Sequence, residues 1–238
     1  MTSSGKQPAY AVVAEGIRSR ILSGELSPGE RLPSEAELME QHGFSRSTIR
    51  EATRILASEN LVVTTRGTTG GTFVAVPDIG RLTAHVENSV ALMTVARTVT
   101  VDQLMDVRLL TEVHAAGVAA HLRTDDQLAG MRAAIEVPEA STTYEGNQEF
   151  HMQILQATGN PMLELVCAPV FRVLRGRFAR GRTGDDFWTA SQADHRRIMT
   201  AIETGDSMTA MSEMRRHLDL LSDAYKEMDL FPDEPAPR

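Results

Sequence analysis

Two β-rich runs, Leu61-Val62-Val63-Thr64-Thr65 and Thr72-Phe73-Val74-Ala75-Val76, interrupt a chain whose remaining pattern is helical. They flank Arg66-Gly67-Thr68-Thr69-Gly70-Gly71, which is rich enough in glycine to form a hairpin tip, and Pro77-Asp78 closes the unit. Ahead of the hairpin, Val13, Ile17 and Ile21 recur every fourth residue along a helix from Tyr10 to Leu22. Gly24 stops it, and Ser27-Pro28-Gly29 makes a turn. Ser34 with Glu37 three residues on is a capping box, opening a second helix from Glu35 to Gln41 that ends at Gly43. Ser45 caps a third, Arg46 to about Asn60, with Ile49, Ala52 and Leu56 facing inward. From Arg81 onward the apolar spacing predicts about seven helices near 81–95, 101–122, 125–136, 143–157, 161–180, 187–203 and 207–228. The breaks fall at Thr124-Asp125, Val137-Pro138, Gly159-Asn160-Pro161, Gly181 to Gly184 and Gly205-Asp206. The expected fold class is mainly α. It has a winged helix-turn-helix of three helices plus hairpin over 8–77, a helical bundle over 78–230, and a disordered, proline-rich tail over 231–238.

A winged helix-turn-helix places its third helix in the major groove of DNA. Its first turn here is Ser45-Arg46-Ser47-Thr48, with Arg50 one turn further on. Arginine suits bidentate guanine or phosphate contacts, and hydroxyls and free N–H groups at a helix N-terminus suit phosphate. The formal net charge of −8 argues at first against nucleic acid, but it is unevenly placed. Residues 1–77 carry eight basic and eight acidic side chains, and the later residues carry the whole excess of acid. Contact with DNA is therefore expected in the first third alone. A single cysteine, Cys167, excludes an intrachain disulfide and reads as a small buried residue in a reducing compartment. No secretory h-region or membrane-length apolar stretch is present, so a cytoplasmic protein is expected.

Residues 10–76 resemble the DNA-binding domain of the GntR family of bacterial regulators. The strings that carry the resemblance are Ile21-Leu22-Ser23-Gly24-Glu25-Leu26-Ser27-Pro28-Gly29-Glu30-Arg31-Leu32-Pro33-Ser34-Glu35, Ser45-Arg46-Ser47-Thr48-Ile49-Arg50-Glu51-Ala52, Arg66-Gly67 and Gly71-Thr72-Phe73-Val74. It implies contacts to DNA from Ser34, Arg46, Ser47, Thr48 and Arg50, and from Arg66 and Gly67 at the wing. Where many members carry an arginine after Pro-Ser-Glu, this chain has Ala36, so that contact is expected to be missing.

Spacing also suggests a metal site in the helical region. Asn147 and His151 lie four apart on one helix face. His195 and His217 lie at matching distances on either side of the Gly205-Asp206 turn, roughly 15–17 Å along an antiparallel helix pair. Three imidazoles and an amide oxygen would suit Zn²⁺ or a similar divalent ion, with a position left open for a ligand. Residues 81–228 resemble the FCD domain of the FadR-type branch. The matching segments are Arg108-Leu109-Leu110-Thr111-Glu112, Phe150-His151 with Gly159-Asn160-Pro161, His195-Arg196-Arg197-Ile198 with Ala201-Ile202 and Gly205-Asp206, and His217-Leu218. In many such domains an aspartate and three histidines bind a metal, which in turn binds a small organic acid. His151, His195 and His217 fall on the histidine positions, Asn147 falls where the aspartate would be, and Arg108 matches an arginine that pairs with the effector carboxylate.

The expected function is a homodimeric, ligand-responsive repressor that binds palindromic double-stranded operator DNA and senses a small carboxylate at a divalent metal. Two alternatives compete with it. A ligand-independent dimeric DNA-binding protein would use the helical region only for dimerisation. A metal-dependent hydrolase would need a general base such as Glu149 or Asp194, and no HExxH or comparable motif is present.

Overall fold

Side-chain caps set many of the helix boundaries in the computed structural model, which describes residues 7–67, 70–136, 144–178 and 185–229. The tail 231–238, the wing-tip threonines Thr68 and Thr69, and the breaks expected at Val137-Pro138 and Gly181 to Gly184 lie outside the described residues. The chain divides into two units, Met1–Asp78 and Ile79–Arg238.

In the first unit, α1 (Ala9–Leu22), α2 (Glu35–His42) and α3 (Arg46–Ser58) precede a hairpin of β1 (Val62–Thr65) and β2 (Gly71–Val74). The Ser34–Glu37 capping box is formed in both directions, and Gly43 closes α2 with φ 69°, a left-handed position that glycine adopts without strain. The Ser45 hydroxyl accepts the Thr48 N–H and opens α3. Val13, Ala14 and Ile17 of α1 pack on Leu38 of α2, on Ile49, Ala52 and Leu56 of α3, and on Val62 and Val74 of the hairpin. The strands are antiparallel, with Val62 opposite Val74 and Thr65 opposite Gly71. The second strand stops at Val74 rather than continuing to Val76. There the segment before α2 adds to its outer edge: Val74 N–H donates to the Glu30 carbonyl, and Gly29 N–H donates to that of Val74. Arg31 crosses the hairpin and donates to the Gly70 carbonyl at 2.7 Å. A Cβ on Gly71 would stand 2.7 Å from the Arg31 Nε, so a larger residue there would push that guanidinium aside.

The second unit is helical throughout its described residues: α4 (Ile79–Val95), α5 (Val101–Leu122), α6 (Asp125–Ile135), α7 (Tyr144–Ala157), α8 (Pro161–Phe178), α9 (Asp185–Glu203) and α10 (Ser207–Asp229). Thr100 with Gln103 and Thr124 with Gln127 form capping boxes that start α5 and α6. Helix α5 is the spine, and its Ala115, Ala116, Ala119 and Ala120 are all buried. Small side chains let α10 approach closely. Ser207 donates to the Gly117 carbonyl at 2.7 Å, and a Cβ on Gly117 would stand 2.8 Å from Met211. The core around this contact is one cluster that includes Phe150, Ile154, Phe171, Leu174, Ile198, Met214 and Leu218. Gly205, at φ 75°, turns the chain between α9 and α10 and lets these two helices run back along each other.

Candidate functional site

The two units hold their polar groups differently. On the first unit, the N-terminal turn of α3 is open to solvent: Arg46, Ser47 and Arg50 are exposed, and Thr48 is half-buried. The Ser45 hydroxyl lies 2.9 Å from both the Ser47 and Thr48 hydroxyls, so all three line one end of the helix. Glu35, the first residue of α2, takes the Arg50 Nε at 2.7 Å and stands 3.8 Å from that of Arg46. The guanidinium side chains are 65% and 67% exposed, so water screens both pairs and each contributes less than about 1 kcal/mol. A phosphate can displace Glu35 at small cost. Ser34 is occupied as the α2 cap, its hydroxyl accepting from Glu37 N–H. Arg66 and Gly67 are exposed beside the hairpin tip, Gly67 with φ 116°.

In the second unit, α7, α9 and α10 bring His151, His195 and His217 together in the interior, all of them buried. The His217 Nε2 lies 3.2 Å from that of His195 and 3.2 Å from that of His151. Tetrahedral Zn²⁺ with bonds of about 2.0–2.1 Å holds its ligand nitrogens about 3.3 Å apart, so the spacing fits such an ion. Packing fixes the rings. His195 stacks on Phe150 with centroids 4.3 Å apart, and the His151 and His217 rings lie nearly parallel at 5.1 Å. Burial pushes all three imidazoles below their ordinary value, His195 and His217 furthest. Neighbouring imidazoles push those two down further, and Arg108 acts on all three in the same direction. The rings are therefore neutral near pH 7 and keep the lone pairs a metal needs.

Asn147, one turn before His151, is buried, and its Oδ1 accepts from the Ser191 hydroxyl at 3.3 Å. The amide nitrogen at the other end is buried without a hydrogen-bond partner. The two ends of an amide have the same shape, and turning it over would leave the oxygen as the open atom and let the nitrogen donate to Ser191. The donor set thus fits a divalent ion: three neutral nitrogens and a nearby amide with one end unsatisfied.

Arg108 reaches this centre through another residue. Its Nε and a terminal nitrogen bind the Glu112 carboxylate at 2.6 and 3.2 Å, one turn along α5, and both side chains are buried. The guanidinium also lies 4.5 Å over the Phe171 ring. The Glu112 Oε2 stands 2.5 Å from His151 Nδ1, close but not aligned as a hydrogen bond. Burial alone would raise the Glu112 carboxyl, but Arg108 and then His151 hold it well below the usual carboxylate range. On the far side, Asp194 Oδ2 lies 3.4 Å from His217 Nδ1, while its Oδ1 is held by Arg197 and by Arg216 at 3.0 Å. Asp194 therefore stands behind an imidazole, with both oxygens engaged, and is poorly placed as a general base. Glu149 is exposed and accepts from Gln153. The Cys167 thiol is raised well above its ordinary value by burial and by nearby Glu112, and it stays protonated and inert.

Sequence reasoning assigned Glu112 no role and considered Asp194 only as a base. The one signal for Glu112 was its spacing from Arg108, four residues along a helix. For Asp194 it was adjacency to His195, whereas the imidazole it serves is that of His217.

The same chain matches two known domain families. Residues 9–74 match the gntR family of bacterial regulatory proteins, and residues 103–220 match the FCD domain. The HTH-type transcriptional regulator LutR of Bacillus subtilis (strain 168) is 28% identical over 224 residues, covering 87% of this chain and 98% of LutR. The Histidine utilization repressor of Klebsiella aerogenes is 45% identical over 94 residues, which span 40% of this chain and 38% of that repressor's length. Among solved structures, Streptococcus agalactiae GntR shares the fold with a TM-score of 0.55 and 24% identity, covering 90% of this chain and 99% of the other.

Proposed function

The chain belongs to the GntR family of bacterial regulatory proteins, carries an FCD domain and is a DNA-binding transcriptional regulator rather than an enzyme; from that premise we propose that it is a cytoplasmic, homodimeric repressor of the FadR-type branch that senses a small carboxylate at a divalent metal. In this reading Ser34, Arg46, Ser47, Thr48, Arg50, Arg66 and Gly67 face a palindromic double-stranded operator. His151, His195 and His217 hold the metal, best matched by Zn²⁺, with Asn147 as the fourth protein donor. The observation that carries the metal assignment is the pair of 3.2 Å separations between the Nε2 atoms of three buried imidazoles. When bound, the ion would supply a fixed positive charge and an open coordination position for an anion. Arg108, already paired with Glu112, adds a second cationic group for the effector carboxylate. An ion-free, ligand-independent DNA-binding protein has no evident use for three neutral histidines converging in its core.

Native mass spectrometry of the purified chain, followed by operator binding with and without chelator, tests this reading. It expects a dimer carrying one divalent metal per chain, and operator affinity that changes when a panel of small carboxylates is added to the metal-loaded form. A monomer, a chain that takes up no metal, or affinity indifferent to both metal and carboxylates would overturn it.

A further inference from the structure

Resting on the metal assignment just proposed, we infer that Glu112 and Asp194 are the positioning carboxylates of the three-histidine centre, fixing the tautomers of His151 and His217. A neutral imidazole carries one hydrogen, and the partner of one nitrogen decides which lone pair is left for the other. His151 Nδ1 faces Glu112 and His217 Nδ1 faces Asp194. A carboxylate paired with arginine offers only lone pairs, so its approach favours the hydrogen on the facing Nδ1 of both rings. Both Nε2 atoms then carry lone pairs, and they stand 3.2 Å apart. The His195 Nε2 can donate its hydrogen to His217, whereas His217 and His151 then turn lone pairs toward each other. A cation bound by both nitrogens would use those lone pairs.

Each carboxylate is anchored from its other side by arginine. Arg108 grips Glu112 through two nitrogens, and Arg197 with Arg216 holds Asp194. The carboxylates therefore keep their aim with or without a metal. They also come from different helices, Glu112 from α5 and Asp194 from α9, so one acts on α7 and the other on α10. His195 has the Phe150 stack in place of such a carboxylate, which sets it apart as the ring free to donate through Nε2. A carboxylate accepting from Nδ1 also raises the basicity of the same imidazole as a ligand.

The test uses the full chain. In metal-free protein, side-chain ¹⁵N NMR is expected to show His151 and His217 as Nδ1–H tautomers. Competition of Zn²⁺ against a chromogenic chelator is then compared for wild type, Asp194→Asn and Glu112→Gln. Asp194→Asn leaves the buried Arg108 pair untouched, so it is the variant expected to fold normally. It should bind Zn²⁺ about 10–100-fold more weakly, and His217 alone should lose its tautomer preference. Glu112→Gln should weaken Zn²⁺ similarly, with His151 losing its preference. If wild type binds one Zn²⁺ but Asp194→Asn binds it within about twofold, or if either ring is an Nε2–H tautomer, the positioning role is overturned and the metal site stands. If wild type takes up no Zn²⁺, the metal site itself falls.

Discussion

The winged unit carries its proposed recognition groups on the outside, whereas the helical unit encloses the groups proposed for its own site. Arg46 and Arg50 are mostly exposed and held by a single screened carboxylate, and their energetic role begins only when a partner arrives. Arg108, Glu112, His151, His195 and His217 are buried, so each charge or lone pair there that lacks a partner costs stability within the fold. A surface site leaves stability and function nearly separable. A buried polar site ties them together, and acid should reveal the tie first.

Metal-free protein should show this in scanning calorimetry resolved into two transitions. The native pKa values of the three buried imidazoles are depressed below the unfolded value near 6.5. Below that pH the unfolded chain takes up protons that the native state refuses, so stability falls as pH falls. The loss is up to about 1.4 kcal/mol per pH unit for each histidine, or roughly 4 kcal/mol per unit while all three stay neutral. Glu112 works in a lower window. Its carboxyl is depressed, so its contribution is present above about pH 4.5 and lost only as pH falls below that. Between pH 7.5 and 5.5 the helical transition should drop steeply and the winged transition should barely move. Parallel shifts of the two would show that the histidines are not buried as neutral rings.

Ligand removal sharpens the contrast further. His217→Ala takes away the nitrogen that lies 3.2 Å from both others, so Zn²⁺ affinity should fall by more than about 100-fold. Operator affinity of the metal-free variant should stay within a few-fold of metal-free wild type, because the DNA face shares no residue with the centre. Metal content equal to wild type after dialysis would count against the site, and a collapse of operator binding would break the separation.

On the DNA side, Arg46→Ala should cost about 1–3 kcal/mol on the preferred operator and relax preference at one base pair, as expected of a side chain reading guanine. Binding measured against single-base operator variants checks it. Uniform loss over all of them would reassign Arg46 to the backbone.

The same contrast explains what could be foreseen. The Ser34 and Ser45 caps, the Gly43 stop and the β-rich pair are local signals, each set within a few residues, and their elements formed close to the expected boundaries. Spacing about Gly205-Asp206 placed His195 level with His217, and the structure brings them together. Glu112 and Asp194 were another matter. Nothing within a few residues of either says that it faces an imidazole on a different helix, since that contact exists only after α5, α7, α9 and α10 have packed. Each of the two carboxylates stands behind an imidazole and is held there by arginine.

Asn147→Asp probes the fourth position of the centre. At the proposed site an added carboxylate should strengthen metal binding and, by lowering the positive charge, weaken a bound carboxylate effector. Each change should be about tenfold. Calorimetric titration of Zn²⁺, then of a carboxylate that responds in the operator assay, into both proteins measures the two directions. Strengthening of both ligands, or of neither, would remove Asn147 from the metal's immediate surroundings.

The smallest effect belongs to Arg50, because that arginine already has a partner. In the proposed interface it would exchange Glu35 for a phosphate, and the exposed pair it gives up is worth less than about 1 kcal/mol. Arg50→Ala should therefore weaken operator binding only modestly at low salt, while the slope of log K against log salt loses about 0.9 in magnitude as one phosphate contact disappears. Glu35→Gln should act in the opposite sense, freeing Arg50 and Arg46 together and raising affinity most for DNA of unrelated sequence, where charge alone decides. Anisotropy titrations across a salt series, on operator and on random duplex, separate these outcomes. An unchanged slope in Arg50→Ala would place that side chain outside the interface, and Glu35→Gln that weakened both duplexes equally would mean Glu35 holds the recognition arginines in position rather than competing for them.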